Sequence, residues 1–271
     1  MGLTSGITRA LNAFFAINRK ACKRLEGFLP HAINIFALYA QAVQDAINGR
    51  PPHAIVIDFG GGKHCLFAGD LNGERNTTVI AVDISASELS HNQDVNGKVV
   101  ADFTQGLPFR NGTVDLIASS SVLEHLEDVR GFVVRAREVL KPGGYCVHLF
   151  PSKFAPFALI NQLLPKAVSR RLVHFILPHS KGICGFPAVY NLCYDSAIRS
   201  LLLENGFELL DIKLSFYQSQ YFDFCFPLFA VSAAYEALVK LFGLRNLAAY
   251  VLVVARRTPA WLPPSRLEGV T

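Results

Sequence analysis

Short runs of β-branched residues alternate with helical stretches in the first half of the chain, and this alternation restricts the fold more than any other feature. A helix is predicted at residues 129–140, and it ends at the stop-and-turn sequence Lys141-Pro142-Gly143-Gly144. Strands that alternate with helices predict a doubly wound, mostly parallel α/β sheet. The predicted strands of this region are 54–58, 78–83, 98–102, 113–119 and 144–150.

The remaining chain is predicted to form an arm, two insertions and a tail. Residues 1–50 are predicted to be an N-terminal helical arm, with a helix at 31–47 that ends at Asn48-Gly49. The main domain is predicted at 51–257, and its regular alternation stops after residue 150. Next come a helix that is capped by Asp195 or Ser196, continues through Glu204 and ends at Asn205-Gly206, then a strand at 207–216 and a last strand within 247–257. Apolar cap insertions are expected at 151–193 and 217–245, and a flexible proline-rich tail at 258–271.

Composition and charge restrict the partners. Half of the residues are apolar (51%), 17% are charged, and the formal net charge is +5. Because so much apolar surface is favourably covered, this composition favours binding to an apolar substrate, a partner protein or a membrane face. The basic residues form small clusters such as Arg19-Lys20 and Arg170-Arg171, which suit either water or an anionic membrane surface. No basic stripe with interleaved aromatic residues is present, which argues against nucleic acid binding.

The cysteines, the N-terminus and one apolar stretch indicate the cellular location of the protein. The six cysteines form no CxxC pair and no spacing typical of a zinc site, so reduced thiols in a cytoplasmic protein are expected, with no metal. The N-terminus lacks the order of a secretion signal. The apolar stretch at 227–242 is interrupted by Glu236 and Lys240, which argues against a membrane-spanning helix. Peripheral contact with a membrane stays open.

Three carboxylates and a glycine-rich turn are predicted to meet at one edge of the sheet. The first strand leads directly into Asp58 and Gly60-Gly61-Gly62, while Asp83 and Asp102 end the second and third strands. Ligands of open α/β sheets bind at this edge, and a carboxylate after the second strand can accept hydrogen bonds from a ribose. Each residue also has a simpler interpretation: a tight turn for the glycines, a helix cap for Asp83 and an exposed turn for Asp102.

One continuous segment, ADFTQGLPFRNGTVDLIASSSVLEHLEDVRGFVVRAREVLKPGGYCVHLFPS, carries a family resemblance. It is similar to the class I S-adenosylmethionine-dependent methyltransferases and, more narrowly, to the methyltransferase type 11 family. The resemblance covers about residues 54–150. It implies a Rossmann-like, seven-stranded, mostly parallel sheet, in which a hairpin of the sixth and seventh strands supplies one antiparallel strand. The insertions then follow strands 5 and 6.

The resemblance implies roles for individual residues around S-adenosylmethionine. The methionine part of this cofactor would lie over Gly60 and Gly62, with Asp58 near its ammonium group. Where the family commonly has a third glycine, this chain has His64, which would contact the cofactor's carboxylate. The remaining implied contacts are Asp83 with the ribose hydroxyls, Asp102 and Phe103 with the adenine, and Ser119 and Ser120 where cofactor and acceptor meet.

The acceptor and the catalytic groups are less defined. His125 is the preferred base for an oxygen acceptor and Glu124 the second candidate; a structural role for His125, bracing the loop after the fourth strand, stays open. The segment 216–229 has seven aromatic residues in fourteen positions, and 154–164 is almost wholly apolar. These segments predict a cap over a small-molecule or lipid-linked acceptor, preferably a hydrophobic one, or a monotopic membrane contact.

A second functional class is a catalytically silent methyltransferase-like module that binds the cofactor or a partner protein. His64 at a glycine position favours this interpretation. Asp58, Asp83 and Asp102 together disfavour it, since no structural requirement places three carboxylates at the ligand edge.

Overall fold

The structure, a computed structural model, describes residues 2–28, 34–68, 76–102, 106–165 and 187–259. The helices are α1 (Gly2–Glu26), α2 (Ile35–Asn48), α3 (Ala86–His91), α4 (Val129–Val139), α5 (Pro156–Leu163), α6 (Asp195–Glu204) and α7 (Phe226–Leu241). The strands are β1 (Ile55–Phe59), β2 (Thr78–Asp83), β3 (Gly97–Val100), β4 (Val114–Ser120), β5 (Leu140–Pro151), β6 (Phe207–Ser215) and β7 (Tyr250–Arg257).

The described strands form one seven-stranded sheet in the order β3-β2-β1-β4-β5-β7-β6. The pairs β2–β3, β1–β2, β1–β4 and β4–β5 are parallel, and β7 runs antiparallel to β5. The central strands are buried on both faces: Val56, Ile57, Leu116 and Ile117 are fully enclosed. This burial explains why the strands read as continuous apolar runs. The predicted fold class is confirmed.

The turn predicted at Lys141–Gly144 lies inside β5. Leu140 pairs with Val114, and the next paired position of β5 is Tyr145, opposite Leu116. The four residues between them therefore bulge out of the register without ending the strand. Gly143 has φ +76°, a conformation that a side chain disfavours, so the glycine pair permits the bulge. The strand consequently begins four residues earlier than predicted.

The chain divides into two units. The sheet unit comprises Asn34–Lys153, Ala188–Leu214 and Tyr250–Thr271, and the insertion unit comprises Met1–Ile33, Phe154–Pro187 and Ser215–Ala249. Helix α2, which the predicted boundary at residue 50 groups with the arm, belongs to the sheet unit because it packs on β4, β5 and β7 through Tyr39 and Val43. Parts of the predicted first insertion (166–186) and tail (260–271) lie outside the described residues.

The insertion unit has a small core of its own. Helix α1 packs against α7, where Cys22, Phe229 and Ala233 are buried together. The Asn18 side chain accepts a 2.7 Å hydrogen bond from the amide of Phe226, the first residue of α7. Because Cys225 at the N-cap of α7 provides no side-chain bond, Asn18 acts as the cap from another helix. No helix in the described part of the chain is long and apolar enough to cross a bilayer.

Candidate functional site

The glycine turn after β1 is fixed by β2 and leaves no room for a side chain at Gly60. The amides of Gly60 and Gly61 donate to the carbonyl of Val82 at 2.7 and 3.3 Å. Gly60 and Gly62 have φ of +73° and +38°. A Cβ on Gly60 would lie 2.3 Å from Val122 Cγ2. A side chain here would therefore displace the segment after β4, so the turn needs glycine for packing as well as for backbone conformation.

Asp58 is a buried carboxyl at the end of β1, only 6% exposed. Burial raises its pKa to about 7, a hydrogen bond from the Cys65 thiol lowers it, and the charges of Asp83 and Asp94 raise it. At neutral pH the group is therefore close to half ionised. A cation that approached Asp58 would favour the ionised form and offset its burial.

Asp83 joins the end of β2 to the glycine turn. Its Oδ2 accepts from the Gly62 amide at 3.1 Å, and its Oδ1 accepts from the Ser85 amide at 2.8 Å. The N-cap of α3 is the Ser85 hydroxyl, which accepts from the Glu88 amide at 3.2 Å. A carboxylate has about four lone-pair positions. Asp83 therefore retains acceptor capacity for a ligand after binding both amides.

The third predicted carboxylate follows β3, the strand that pairs with β2. Asp102 lies two residues beyond the end of β3, and its neighbour Ala101 donates its amide to the Asp83 carbonyl at 3.0 Å. This bond keeps the segment after β3 against the end of β2. Phe103, the other predicted adenine contact, lies outside the described residues.

Two side chains that the sequence does not predict, those of Asn92 and Asp94, fix the glycine turn through hydrogen bonds. The fully buried Asn92 donates to the carbonyls of Gly61 and Gly62 at 3.0 and 3.2 Å, and its Oδ1 accepts from the Asp94 amide at 3.0 Å. Asp94 accepts from the Cys65 amide at 3.0 Å. Both follow α3 in a segment with no recognisable motif, so only their position in the fold identifies them.

His64 lies at the surface of the turn. Its side chain is 80% exposed, and Nδ1 is 3.3 Å from Asp94 Oδ2. The residue thus occupies the expected glycine position without filling the turn, because its ring extends towards solvent and Asp94. Its predicted contact with the cofactor's carboxylate stays a prediction.

Ser119 and Ser120 end β4 in different surroundings. Ser119 is fully buried, and its hydroxyl lies 2.8 Å from Nδ1 of His148 on the neighbouring strand β5. Burial lowers the pKa of His148 to about 3, so the ring is neutral, and it packs edge-on against Phe132 of α4. The Ser119 hydroxyl is therefore engaged inside the sheet. Ser120 is half-buried, and its predicted ligand contact, like that of Ser119, stays a prediction.

Glu124 and His125 lie in a 3₁₀ turn, Leu123–His125, just after β4. The Glu124 carbonyl accepts from the amides of Val189 and Tyr190 at 2.7 and 2.9 Å, which fixes the turn. Burial raises the pKa of the Glu124 carboxyl to about 8, so this group is mostly protonated at pH 7. His125 Nε2 lies 3.8 Å from Glu124 Oε1, and its side chain is 33% exposed. Of the pair, His125 is the better candidate base at neutral pH.

Among the described residues, no group of three or more His, Cys, Asp or Glu side chains is arranged to hold a metal ion. The described cysteines are free thiols, and Cys65, Cys146 and Cys193 are buried, where burial raises the pKa of each thiol. None of these three buried thiols has the lowered pKa of a reactive nucleophile.

Comparison with known proteins finds a similarity for the central segment. Residues 57–148 match the model of a methyltransferase domain. Two curated relatives, both described as uncharacterized methyltransferases from Mycobacterium sp. (strains KMS and MCS), are 30% identical over 123 residues, which is 45% of this chain and 48% of each relative. The chain thus spans about half the length of the curated relatives it matches.

Solved structures share the fold. A geranyl diphosphate C-methyltransferase from Streptomyces coelicolor A3(2), in complex with Mg²⁺, geranyl diphosphate and S-adenosyl-L-homocysteine, is 15% identical with a TM-score of 0.54; the match covers 82% of this chain and 79% of that one. A geranyl diphosphate methyltransferase in complex with SAM is 17% identical with a TM-score of 0.50, covering 81% and 85%. At these identities the likeness concerns the fold alone.

Proposed function

We propose, since residues 57–148 match the model of a methyltransferase domain and lie in a seven-stranded, mostly parallel sheet, that the chain transfers a methyl group from S-adenosylmethionine to an apolar or lipid-linked acceptor. The observation that carries the proposal is the arrangement at the carboxyl edge of β1 and β2. There the glycine turn, buried Asp58 and the partly occupied carboxylate of Asp83 meet. This is the edge where ligands of open α/β sheets bind.

The residues of this edge fit the cofactor. S-Adenosylmethionine carries an ammonium and a sulfonium, which suit a region with Asp58, Asp83 and Asp94 close together. Asp58 would bind the ammonium, the backbone of Gly60 and Gly62 would lie against the methionine part, and Asp83 would accept from the ribose hydroxyls. When bound, the cofactor supplies an electrophilic methyl group, and the protein's contribution is mainly to position the acceptor in line with it.

Calorimetric titration of S-adenosylmethionine and S-adenosylhomocysteine tests the site. The wild type should bind both with micromolar affinity, and Asp83→Asn should weaken binding at least about tenfold, since a ribose hydrogen bond to a charged group contributes about 1.5–3 kcal/mol. The matched control is Asp211→Asn on β6, at the opposite edge of the sheet, where the carboxylate faces Lys213 at 3.6 Å. Absence of binding at millimolar ligand, or equal loss in both variants, would refute the site.

The raised pKa of Asp58 adds a second readout. An ammonium bound to Asp58 favours the ionised carboxylate, so binding near or below pH 7 should release a proton. The apparent affinity should therefore rise between about pH 5 and pH 8, and the binding enthalpy at pH 6.5 should depend on the buffer's ionisation enthalpy. In Asp58→Asn both dependences should disappear. A pH-independent affinity in the wild type would remove Asp58 from the ammonium site.

The preference for an apolar acceptor rests on the insertion unit. The rings of Phe157 and Tyr221 contact each other there, with centroids 4.8 Å apart and an interplanar angle of 41°, and Phe222 and Phe226 pack beside its core. Aromatic surfaces of this kind bind apolar ligands well. An acceptor screen should give turnover with polyprenyl-linked sugars or quinone-like rings, with Phe157→Ala raising KM for them. Turnover of a polar metabolite alone would refute this part of the proposal and leave the methyl transfer intact.

His125 is proposed as the base for an oxygen acceptor, with the neutral Glu124 carboxyl beside it. His125→Asn should lower kcat by about 10²–10⁴, the usual contribution of general base catalysis. It should leave cofactor affinity and thermal stability unchanged. If His125 only braces the turn after β4, cofactor affinity and thermal stability should fall together with kcat.

The silent module remains the second candidate, because the exposed His64 replaces a glycine. It predicts cofactor binding with no turnover of any acceptor, and His64→Gly should then leave affinity and turnover unaltered. Binding accompanied by turnover excludes it.

A further inference from the structure

We propose that the insertion unit docks on the surface of an anionic lipid bilayer. The proposal concerns a surface of this unit and does not depend on methyl transfer, so it is tested without cofactor. It rests on the separation of charge along the chain, the exposed face of α1 and the uncovered face of α7.

Positive charge is concentrated in the insertion unit. The sequence of this unit holds eleven Lys and Arg against three Asp and Glu, whereas the sheet unit holds fifteen against eighteen. The three acids are occupied by internal contacts: Glu26 by the Tyr217 hydroxyl, Asp223 by Arg19 at 3.4 Å, and Glu236 by the amides of Gln218 and Ser219. The unit therefore presents cations to its surroundings in a chain whose other unit is acidic.

One exposed face of α1 mixes cations with apolar side chains. The packed face is marked by Asn18 and Cys22, which are buried. On the other face, Ile17, Lys20 and Arg24 follow each other at the i, i+3, i+7 spacing of one helical stripe. Ile17 is 69% exposed. A groove of about 510 Å³ runs along this side, lined by Ala16, Arg19, Lys20, Lys23 and Arg24.

These cations have no competing partner in the part of the chain that the structure describes. Lys20, Lys23 and Arg24 form no ion pair with a described carboxylate, and Glu26, the acid of α1, is bound by Tyr217. Lipid phosphates are anions that attract such clusters, and each Lys or Arg near an anionic bilayer contributes about fivefold to partitioning. Apolar side chains on the same stripe would enter the interface between headgroups and acyl chains.

Helix α7 supplies further apolar surface. Its buried face carries Phe229, Ser232, Ala233 and Val239. The exposed side carries uncharged residues at helical spacing, with Val231 69%, Leu238 54% and Leu241 77% exposed. In total, twelve of the twenty large apolar side chains exposed in the described residues belong to this unit. Glu236, the acid of α7, is bound by the amides of Gln218 and Ser219, so the exposed apolar face of this cation-rich unit is complementary to an anionic bilayer.

Vesicle co-sedimentation of the full chain tests the proposal. The wild type should bind vesicles of phosphatidylcholine with 40% phosphatidylglycerol, and bind pure phosphatidylcholine at least about tenfold more weakly, with part of the binding lost in 0.5 M NaCl. The triple variant Lys20→Gln, Lys23→Gln, Arg24→Gln should partition onto the anionic vesicles about a hundredfold more weakly than the wild type. The matched control removes three exposed cations from the sheet unit: Lys98→Gln, Arg110→Gln, Lys213→Gln combined.

The apolar contribution has its own pair of variants. The double variant Val231→Ser, Leu238→Ser should abolish the binding that survives 0.5 M NaCl. The control is the double variant Val134→Ser, Leu203→Ser, whose two positions are exposed on helices of the sheet unit. It should leave that binding within twofold of the wild-type value. All of these side chains are exposed, so the variants should fold, which circular dichroism verifies. Absence of binding to anionic vesicles, equal binding to neutral ones, or equal loss in test and control variants would overturn the proposal.

Discussion

The three glycines after β1 differ in what a methyl group would meet. A Cβ on Gly61 would lie 2.8 Å from the Ala81 Cβ and 2.9 Å from Asp58 Oδ2, whereas a Cβ on Gly62 meets nothing closer than 3.8 Å. Gly60→Ala and Gly61→Ala should therefore lower the free energy of unfolding by about 1–3 kcal/mol or more and abolish cofactor binding. Gly62→Ala should cost only about 1 kcal/mol, the penalty of its positive φ.

Urea unfolding and calorimetric titration of the three variants measure these effects. Gly112→Ala is the control for backbone strain alone, because Gly112 also has a positive φ and open space around it. An equal effect of all three turn variants on cofactor affinity would contradict the packing argument.

The Glu124 carboxyl should make stability depend on pH. Its pKa is about 8 in the folded chain and about 4.5 when unfolded, so its folded state holds a proton that the unfolded state has released. Its contribution is fully present below about pH 4.5 and is lost as the pH rises through about 8. The free energy of unfolding of Glu124→Gln, compared with that of the wild type, should therefore increase by a few kcal/mol when the pH rises from 5 to 9. Chemical unfolding at both values measures this.

The control for that experiment is Glu138→Gln on the exposed side of α4. Asp58 also titrates near neutrality in every variant, so the difference between wild type and Glu124→Gln isolates the glutamate. A parallel pH dependence of the wild type and Glu124→Gln would show that Glu124 is ionised when folded.

For single residues, the sequence predicts a position in the site where that position follows from the order of strands along the chain. Asp58 and Asp83 end consecutive parallel strands, so their meeting at one edge follows from the alternation alone. Asn92 and Asp94 are different, because their bonds to the turn span about thirty residues and join loops that no local pattern links. The burial of Ser119 against His148 likewise depends on the register between β4 and β5.

At the scale of elements, the cap that α1 provides for α7 should govern the stability of the insertion unit. Asn18→Ala would leave the Phe226 amide without its acceptor and should cost about 1–2 kcal/mol. Asn12→Ala, on the exposed side of α1, makes the same change in helix propensity without removing a cap. Thermal unfolding followed by circular dichroism should show a lower Tm for Asn18→Ala than for Asn12→Ala. Equal Tm values would mean that the cap contributes nothing.

Elements were predictable where one local signal determined their ends. Helix α6 ends at Glu204 before Asn205-Gly206, the predicted helix end, but its N-cap is Tyr194, which makes no side-chain bond, and not the predicted Asp195 or Ser196. The start of β5 was not predictable from the sequence, since Lys141–Gly144 resembles a turn. The segment becomes a bulge only because Leu140 pairs with Val114. The assignment of α2 to the sheet unit also depended on tertiary packing through Tyr39 and Val43.

At the scale of the whole molecule, the two units differ in the size of the core that stabilises them. The sheet unit encloses long apolar strands on both faces, whereas the α1–α7 cluster buries Cys22, Phe229 and Ala233 with a few partly buried neighbours. Since buried apolar area is the main stabilising contribution, the insertion unit should open at a lower free energy than the sheet unit.

Hydrogen exchange with and without S-adenosylmethionine tests this difference together with the proposed cofactor site. Without ligand, amides of α7 should exchange faster than those of β1 and β4 in the sheet interior. A ligand that binds only the folded sheet unit stabilises it by about 2.7 kcal/mol at one hundred times Kd. The slowest amides of β1 and β4 should then exchange up to about a hundredfold more slowly, while those of α7 keep their rates. If α7 slows by the same factor, the units open together, and the smaller core is not an independent unit of stability.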